Sequence, residues 1–325
     1  MHEGFQGPPH DTKEFAVRQI SSGYSWINSG LTLLLTAVVG CAGSKPDPYI
    51  PDQPATSVES ASDAVKRISE HPEAFLRESL AETSKAKQFT MHFQRQERLG
   101  LLQELKPVED IVAEYRDEPF SVRFTWQGED SEYLQCVYVE GKNDNKVVLL
   151  PRKGLLGLPP SPQSFDPKLS VVFGKSRNPI TDFGPRRMLE RTIDRIDKAK
   201  AKGEVKIRVL PPTEIGPAKE QCYHLEIRYP QGDEFPCKLQ DLYIHMQTRR
   251  PVGVWLWLPG KPERSEQTLD GMYLYAAIDP NVSLTDANFV IDPVLRQAAA
   301  AGAAEGADSP GAAPPAALSG QPADQ

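Results

Sequence analysis

The sequence predicts an α+β domain built on a large antiparallel sheet. Three patterns lead to that class. Apolar and polar residues alternate with period two through most of the folded region, and turn-forming residues separate successive alternations. Amphipathic helical spacing is confined to the start of that region and to one mid-chain crossing.

Residues 58–87 carry helical spacing, with Val65, Ile68, Phe75, Leu76 and Leu80 apolar, and Pro72 fits the first turn of a second helix. Strands follow. Phe89, Met91 and Phe93 alternate with Thr90, His92 and Gln94, then Phe120, Val122, Phe124 and Trp126 alternate with Ser121, Arg123 and Thr125. This is the pattern of half-buried antiparallel strands. Further strands are predicted at 110–116, 132–140, 146–151, 205–210, 222–229, 238–247, 252–258 and 269–278, about ten in all. Gly141-Lys142-Asn143-Asp144-Asn145 and Pro230-Gln231-Gly232-Asp233 have the chemistry of turns between neighbours. Residues 185–201 read as a helix with Met188, Leu189, Ile193 and Ile196 on one face and basic residues on the other.

The 325 residues are 39% hydrophobic and 25% charged, with a net charge of -7. An acidic chain lacks the basic footprint of a nucleic-acid binder, so that class is set aside. The longest apolar run, Leu31 to Gly43, is too short to span a bilayer and suits the apolar region of a signal peptide. It closes on Val38-Val39-Gly40-Cys41, which looks like a bacterial lipobox whose cysteine is acylated. The competing reading is a buried strand with an ordinary core cysteine, and no amphipathic partner follows to support it. Met1 to Gly30 is long and acidic for a leader; a start near Val17 would give a short basic one. The expected organisation is a signal peptide at 1–40, a Pro, Ser and Asp-rich tether at 41–57, one folded domain at 58–293, and a disordered Ala, Gly and Pro tail at 294–325. Ala42 after the cysteine, in place of a retaining aspartate, favours an outer-membrane, periplasm-facing location if the cell has two membranes.

Four segments carry a family resemblance. Phe93-Gln94-Arg95-Gln96-Glu97-Arg98, Glu118-Pro119-Phe120-Ser121-Val122, Val137-Tyr138-Val139-Glu140-Gly141-Lys142-Asn143 and Asn281-Val282-Ser283-Leu284-Thr285-Asp286-Ala287-Asn288-Phe289 occur in an order that resembles the domain of unknown function 1571, over about Ala81 to Pro293. The resemblance implies an architecture similar to the lipoprotein-localisation carrier and its outer-membrane acceptor. In those proteins a curved, unclosed antiparallel sheet, a half-barrel capped by helices on one face, encloses an apolar cavity for acyl chains. No catalytic residue comes with the resemblance.

The residues supply no reaction of their own. His71, His92, His224 and His245 have no second ligand at metal spacing, and no nucleophile elbow, phosphate loop or zincin helix is present. No metal, cofactor or enzymatic activity is expected. Asn143-Asp144-Asn145 lacks the glycine and distal glutamate of a calcium loop. Cys136, Cys222 and Cys237 allow one disulfide and one free thiol, or three free or buried thiols; the second is expected, because a turn centred near Gln231 and Gly232 would pair Cys222 with Asp241, too far from Cys237 for a bridge without a register change.

The most informative feature is a pair of strands apolar on both faces. Val252, Val254, Leu256 and Leu258 share one face while Trp255 and Trp257 occupy the other; Met272, Leu274 and Ala276 likewise oppose Tyr273 and Tyr275. Either helices cover both sides or one side lines a cavity. The candidate apolar ligand residues are therefore Phe120, Val122, Phe124, Trp126, Trp255, Trp257, Tyr273 and Tyr275. The expected function is a non-enzymatic envelope lipoprotein, tethered to the membrane through lipid on Cys41, that binds a lipid or an acylated protein. The alternative is an envelope scaffold or interaction module whose sheet is fully packed.

Overall fold

In the computed structural model the described residues are 61–297, apart from 155–157, 204, 231, 233 and 236. The expected signal peptide, the tether with Cys41 and the tail beyond residue 297 lie outside them. Residues 293–297 are helical, so the segment expected to be a disordered tail from 294 begins inside a helical turn.

Two helices open the described chain, α1 (Ala61–Glu70) and α2 (Pro72–Thr83). Ile68, Phe75 and Leu76 are buried, so the predicted apolar stripe is the packed face. Seven strands follow: β1 (Gln88–Leu99), β2 (Glu104–Leu105), β3 (Glu109–Arg116), β4 (Ser121–Trp126), β5 (Tyr133–Val139), β6 (Val147–Pro151) and β7 (Gln163–Phe165). A short α3 (Leu169–Val172) and the long α4 (Pro185–Lys202) make the mid-chain crossing. The chain then returns through β8 (Lys206–Ile215), β9 (Glu220–Arg228), β10 (Leu239–His245), β11 (Pro251–Trp257) and β12 (Leu269–Asp279). The predicted strands are all present. Expecting ten undercounts the sheet by β2 and β7, which at two and three residues are too short to show an alternation.

The strands form one antiparallel sheet in the order β7-β6-β5-β4-β3-β1-β12-β11-β10-β9-β8, with β2 paired to β1 off that path. The early strand β1 thus sits mid-sheet beside the late strand β12, with Phe93 opposite Tyr275 and Arg95 opposite Tyr273. The ends of the order, β7 and β8, do not meet. On the β8 edge Pro211 and Pro212 fall at a register shift between Leu210 and Thr213. The sheet also curves: β7 and β10 are eight steps apart, roughly 38 Å on a flat sheet at ~4.8 Å per step, yet Phe165 and Gln240 line the same cavity. The fold is an unclosed half-barrel with helices on its concave face.

α2 and α4 fill part of that face, tied to each other by Arg77 with Asp197 and Lys200 with Glu73. α4 buries Met188, Leu189, Ile193 and Ile196, as its spacing predicts. It enters through Gly184 at φ 117°, where a side chain would be strained and a Cβ would crowd the Tyr115 ring at 3.2 Å. On the convex face the segment after β12 folds back as a strap. Leu284 and Phe289 pack on Val137 and Val139, Gln88 bonds the backbone of Val282 and Leu284 at 2.7 and 3.2 Å, and Gln135 accepts the Asp292 amide at 2.7 Å.

Cys136, Cys222 and Cys237 are free and buried. The register that keeps Cys222 from Cys237 differs from expectation, since Cys222 lies opposite His245 and Asp241 opposite Glu226. The connection from β9 to β10 is longer than a tight turn. The two thiols also belong to different apolar clusters, Cys237 to the main core and Cys222 to a cluster with Val252, Leu274 and Ala276.

Candidate ligand cavity

A cavity of about 670 Å3 opens on the concave face, lined by strands from β7 across β1 and β12 to β10, by α3 and by the first three turns of α4. Its size lies within the ~300–1,000 Å3 typical of small-molecule sites. Aromatic side chains form much of its wall. Phe183, just before α4, meets Phe93 and Phe124 edge-to-face at 5.0 and 4.6 Å between centroids, and Phe93 stacks on Tyr275 at 5.5 Å. Phe173, next to α3, lines the cavity and is 70% exposed, which places it at the mouth.

The floor is polar. Inward positions on β1 run Phe89, Met91, Phe93 and then Arg95 and Glu97, so the strand carries two charges into the barrel. Tyr273 donates its hydroxyl to Glu97 Oε1 at 2.5 Å. Arg95 pairs with Glu97 at 3.8 Å and bonds Glu109, and Glu109 also accepts Trp126 Nε1 at 2.8 Å. Arg177 pairs with Asp270. Burial by itself would lower the Arg95 pKa, but Glu97 and Glu109 outweigh it and hold the guanidinium charged. Burial pushes the Cys136 thiol in the wall up to about 12, which leaves it protonated and weakly nucleophilic. Burial likewise raises the Tyr275 hydroxyl to about 12.

Of the eight apolar candidates, Phe124, Trp126, Tyr273 and Tyr275 line the cavity. Phe120 and Val122 share their face of β4 but are packed further along it, Phe120 between Tyr115 and Tyr138 and beneath Arg187. Trp255 and Trp257 do not line it. Directly opposed residues of an antiparallel pair share a face, and Val254 lies opposite Tyr273 while Trp255 lies opposite Met272. Val254 and Leu256 therefore face the cavity. Trp255 packs edge-to-face on Tyr243 at 4.8 Å on the convex side. Its ring lies across Gly253, where a Cβ would come within 2.4 Å of it. Trp257 Nε1 donates to Asp241 Oδ2 at 2.8 Å.

Asp241 anchors a second charged cluster on that convex side. Arg264 bonds both of its oxygens at 2.8 Å and also reaches Glu226 at 2.6 Å, while His224 bonds Asp241 at 2.9 Å. Each buried carboxylate there has arginine partners, which is the arrangement of a structural ion-pair network. Among the described residues no group of three His, Cys, Asp or Glu is placed to hold a metal.

Sequence reasoning missed Arg95 and Glu97 as site residues. The signal was present, because both continue the inward alternation of Phe89, Met91 and Phe93 and so place charge where core is expected.

Residues 86–294 match the family described as "Protein of unknown function (DUF1571)". The chain belongs to that family. The matched span agrees to within a few residues with the region that carries the resemblance in the sequence. No curated protein matches this DUF1571 chain. Solved structures similar to it include MucB, at 11% identity and a TM-score of 0.40, covering 68% of this chain and 63% of that one. The Pseudomonas aeruginosa MucA/MucB complex is similar at 9% identity and a TM-score of 0.38, covering 67% of this chain and 61% of that one. The Mycobacterium tuberculosis lipoprotein LppX is similar at 10% identity and a TM-score of 0.36, covering 66% of this chain and 97% of that one. The DUF1571 chain thus spans less than two thirds of the MucB chains it resembles.

Proposed function

We propose that this DUF1571 protein is a non-enzymatic envelope lipoprotein that holds a lipid or acyl chain, free or attached to a protein, in the concave cavity. Cys41 carries the anchoring lipid, and in a cell with two membranes the outer one, on its periplasmic side, is the favoured site. The observation that carries the reading is the cavity itself: about 670 Å3 of space walled by Phe93, Phe124, Trp126, Phe183 and Tyr275. Apolar area binds an alkyl chain without specific polar contacts, at ~0.8 kcal/mol per buried CH2. Leu169 and the exposed Phe173 continue the apolar lining to the mouth. The cavity supports this reading over a scaffold with a fully packed sheet. The buried acids Glu97 and Asp270 and the half-buried Glu109 each face an arginine, which suits a structural role better than general acid or base work.

Native mass spectrometry of the purified protein, joined to titration with a fluorescent fatty-acid probe, tests the proposal. A co-purifying lipid or saturable probe binding that Phe165→Asp and Phe173→Asp weaken at least tenfold is the expected result. A clean apo mass with no probe binding would refute it. The anchor is tested separately: Cys41→Ala should move the protein from the membrane to the soluble envelope fraction, and an unchanged distribution overturns the tether.

A further inference from the structure

Resting on the carrier reading, we infer that the cavity selects amphiphiles with an anionic head, a carboxylate or a phosphate, and that Arg191 and Arg195 on α4 hold that head. Both line the cavity. At four residues apart on one helix they stand on the same face, ~6 Å apart along its axis. Their surroundings set them apart from the other cavity cations. Arg95 is neutralised by Glu97 and Glu109, Arg177 by Asp270, and Lys175 by Glu132.

Arg191 and Arg195 have only neutral acceptors. Arg191 Nη1 donates to the Asp182 backbone carbonyl at 2.7 Å. Arg195 Nη1 reaches Gln240 Oε1 at 3.4 Å and its guanidinium lies over the Tyr229 ring at 5.7 Å. Gln240 is in turn fixed, accepting Tyr229 Oη at 2.9 Å and donating to Thr192 Oγ1 at 3.0 Å. Among the described residues neither guanidinium has a carboxylate within ion-pair distance, that of Asp182 included. These neutral contacts orient the two groups and leave both charges uncompensated beside an aromatic wall. A cation held there gains more from an incoming anion than one in water does, because the site is partly desolvated. An alkyl chain on the aromatic wall and an anionic head on α4 would satisfy both halves of the cavity at once.

The test titrates the full-length protein with three single-chain lipids below their micelle concentrations: palmitate, palmitoyl lysophosphatidate and the uncharged monopalmitoylglycerol. Wild type should bind one or both anionic lipids about tenfold or more tightly than the neutral one, and the comparison of palmitate with lysophosphatidate tells which head is taken. Arg191→Gln with Arg195→Gln should remove that preference, so that the anionic lipids bind no more tightly than monopalmitoylglycerol. The Arg191→Lys, Arg195→Lys protein should keep the preference, which separates loss of charge from loss of fold. Equal wild-type affinity for all three lipids, or a Gln variant that retains the preference, overturns the inference while the carrier reading stands. Binding of none of them overturns both.

Discussion

Tyr273 on β12 donates its hydroxyl to Glu97 on β1 at 2.5 Å, joining residues 176 positions apart in sequence on the floor of the cavity. Both side chains are buried. Tyr273→Phe leaves the carboxylate without this donor, and a buried acceptor so deprived costs ~1–3 kcal/mol. Chemical denaturation should show that loss, with little change in overall secondary structure by circular dichroism.

Asp241 makes acid stability titratable. Burial pushes its pKa up, but hydrogen bonds from Arg264 and His224 outweigh burial and bring it from 3.8 to about 2. A carboxyl depressed on folding stabilises the native state above its unfolded pKa, and that contribution disappears as pH falls through the folded one. About 2 kcal/mol should therefore be lost between pH 4 and pH 2. Asp241→Asn should be less stable at neutral pH and flatter over that window, measured from urea midpoints across a pH series.

The strap on the convex face should be a structural part of the domain. Phe289 is buried against Val137 and Val139, so Phe289→Ala should cost ~3–5 kcal/mol. Removing residues 298–325, by contrast, should move the melting temperature by less than about 4 °C, since their composition offers little to bury.

The two tryptophans of β11 should affect stability and not binding. Trp257→Phe removes the donor to Asp241 Oδ2, and Trp255→Ala empties the contact with Tyr243. Each should lower the unfolding free energy by at least ~1 kcal/mol, while probe affinity stays within twofold. A tenfold loss of affinity in a folded variant would contradict the placement of these residues on the convex side.

The alternation that marks β1, β4 and the later strands is plain in the sequence because each has one polar and one apolar side. β11 and β12 are different. Their period-two pattern fixes that Trp255 and Trp257 lie together, but with both faces apolar it does not say which side turns inward. The pairing of Val254 with Tyr273 decides it, and the register shifts between Leu256 and Trp257, a change that no local pattern announces. Curvature is equally silent, as it arises from the accumulated twist of eleven consecutive strands. Arg191 and Arg195 were visible only as part of a basic helix face. What distinguishes them is that, among the described residues, no carboxylate from another element pairs with either, which is a property of the tertiary arrangement.

A half-barrel that stays open carries a liability, since each end of its sheet offers a row of unpaired amides and carbonyls to any passing strand. Here both rows are spoiled as templates. β7 is only three residues long, and β8 carries exposed Pro211 and Pro212 at its register shift, where proline has no amide to donate. A second copy approaching edge-on would find no continuous ladder to extend. Such protection matters wherever copies of a chain meet often, because polymerisation through sheet edges quickens with local concentration.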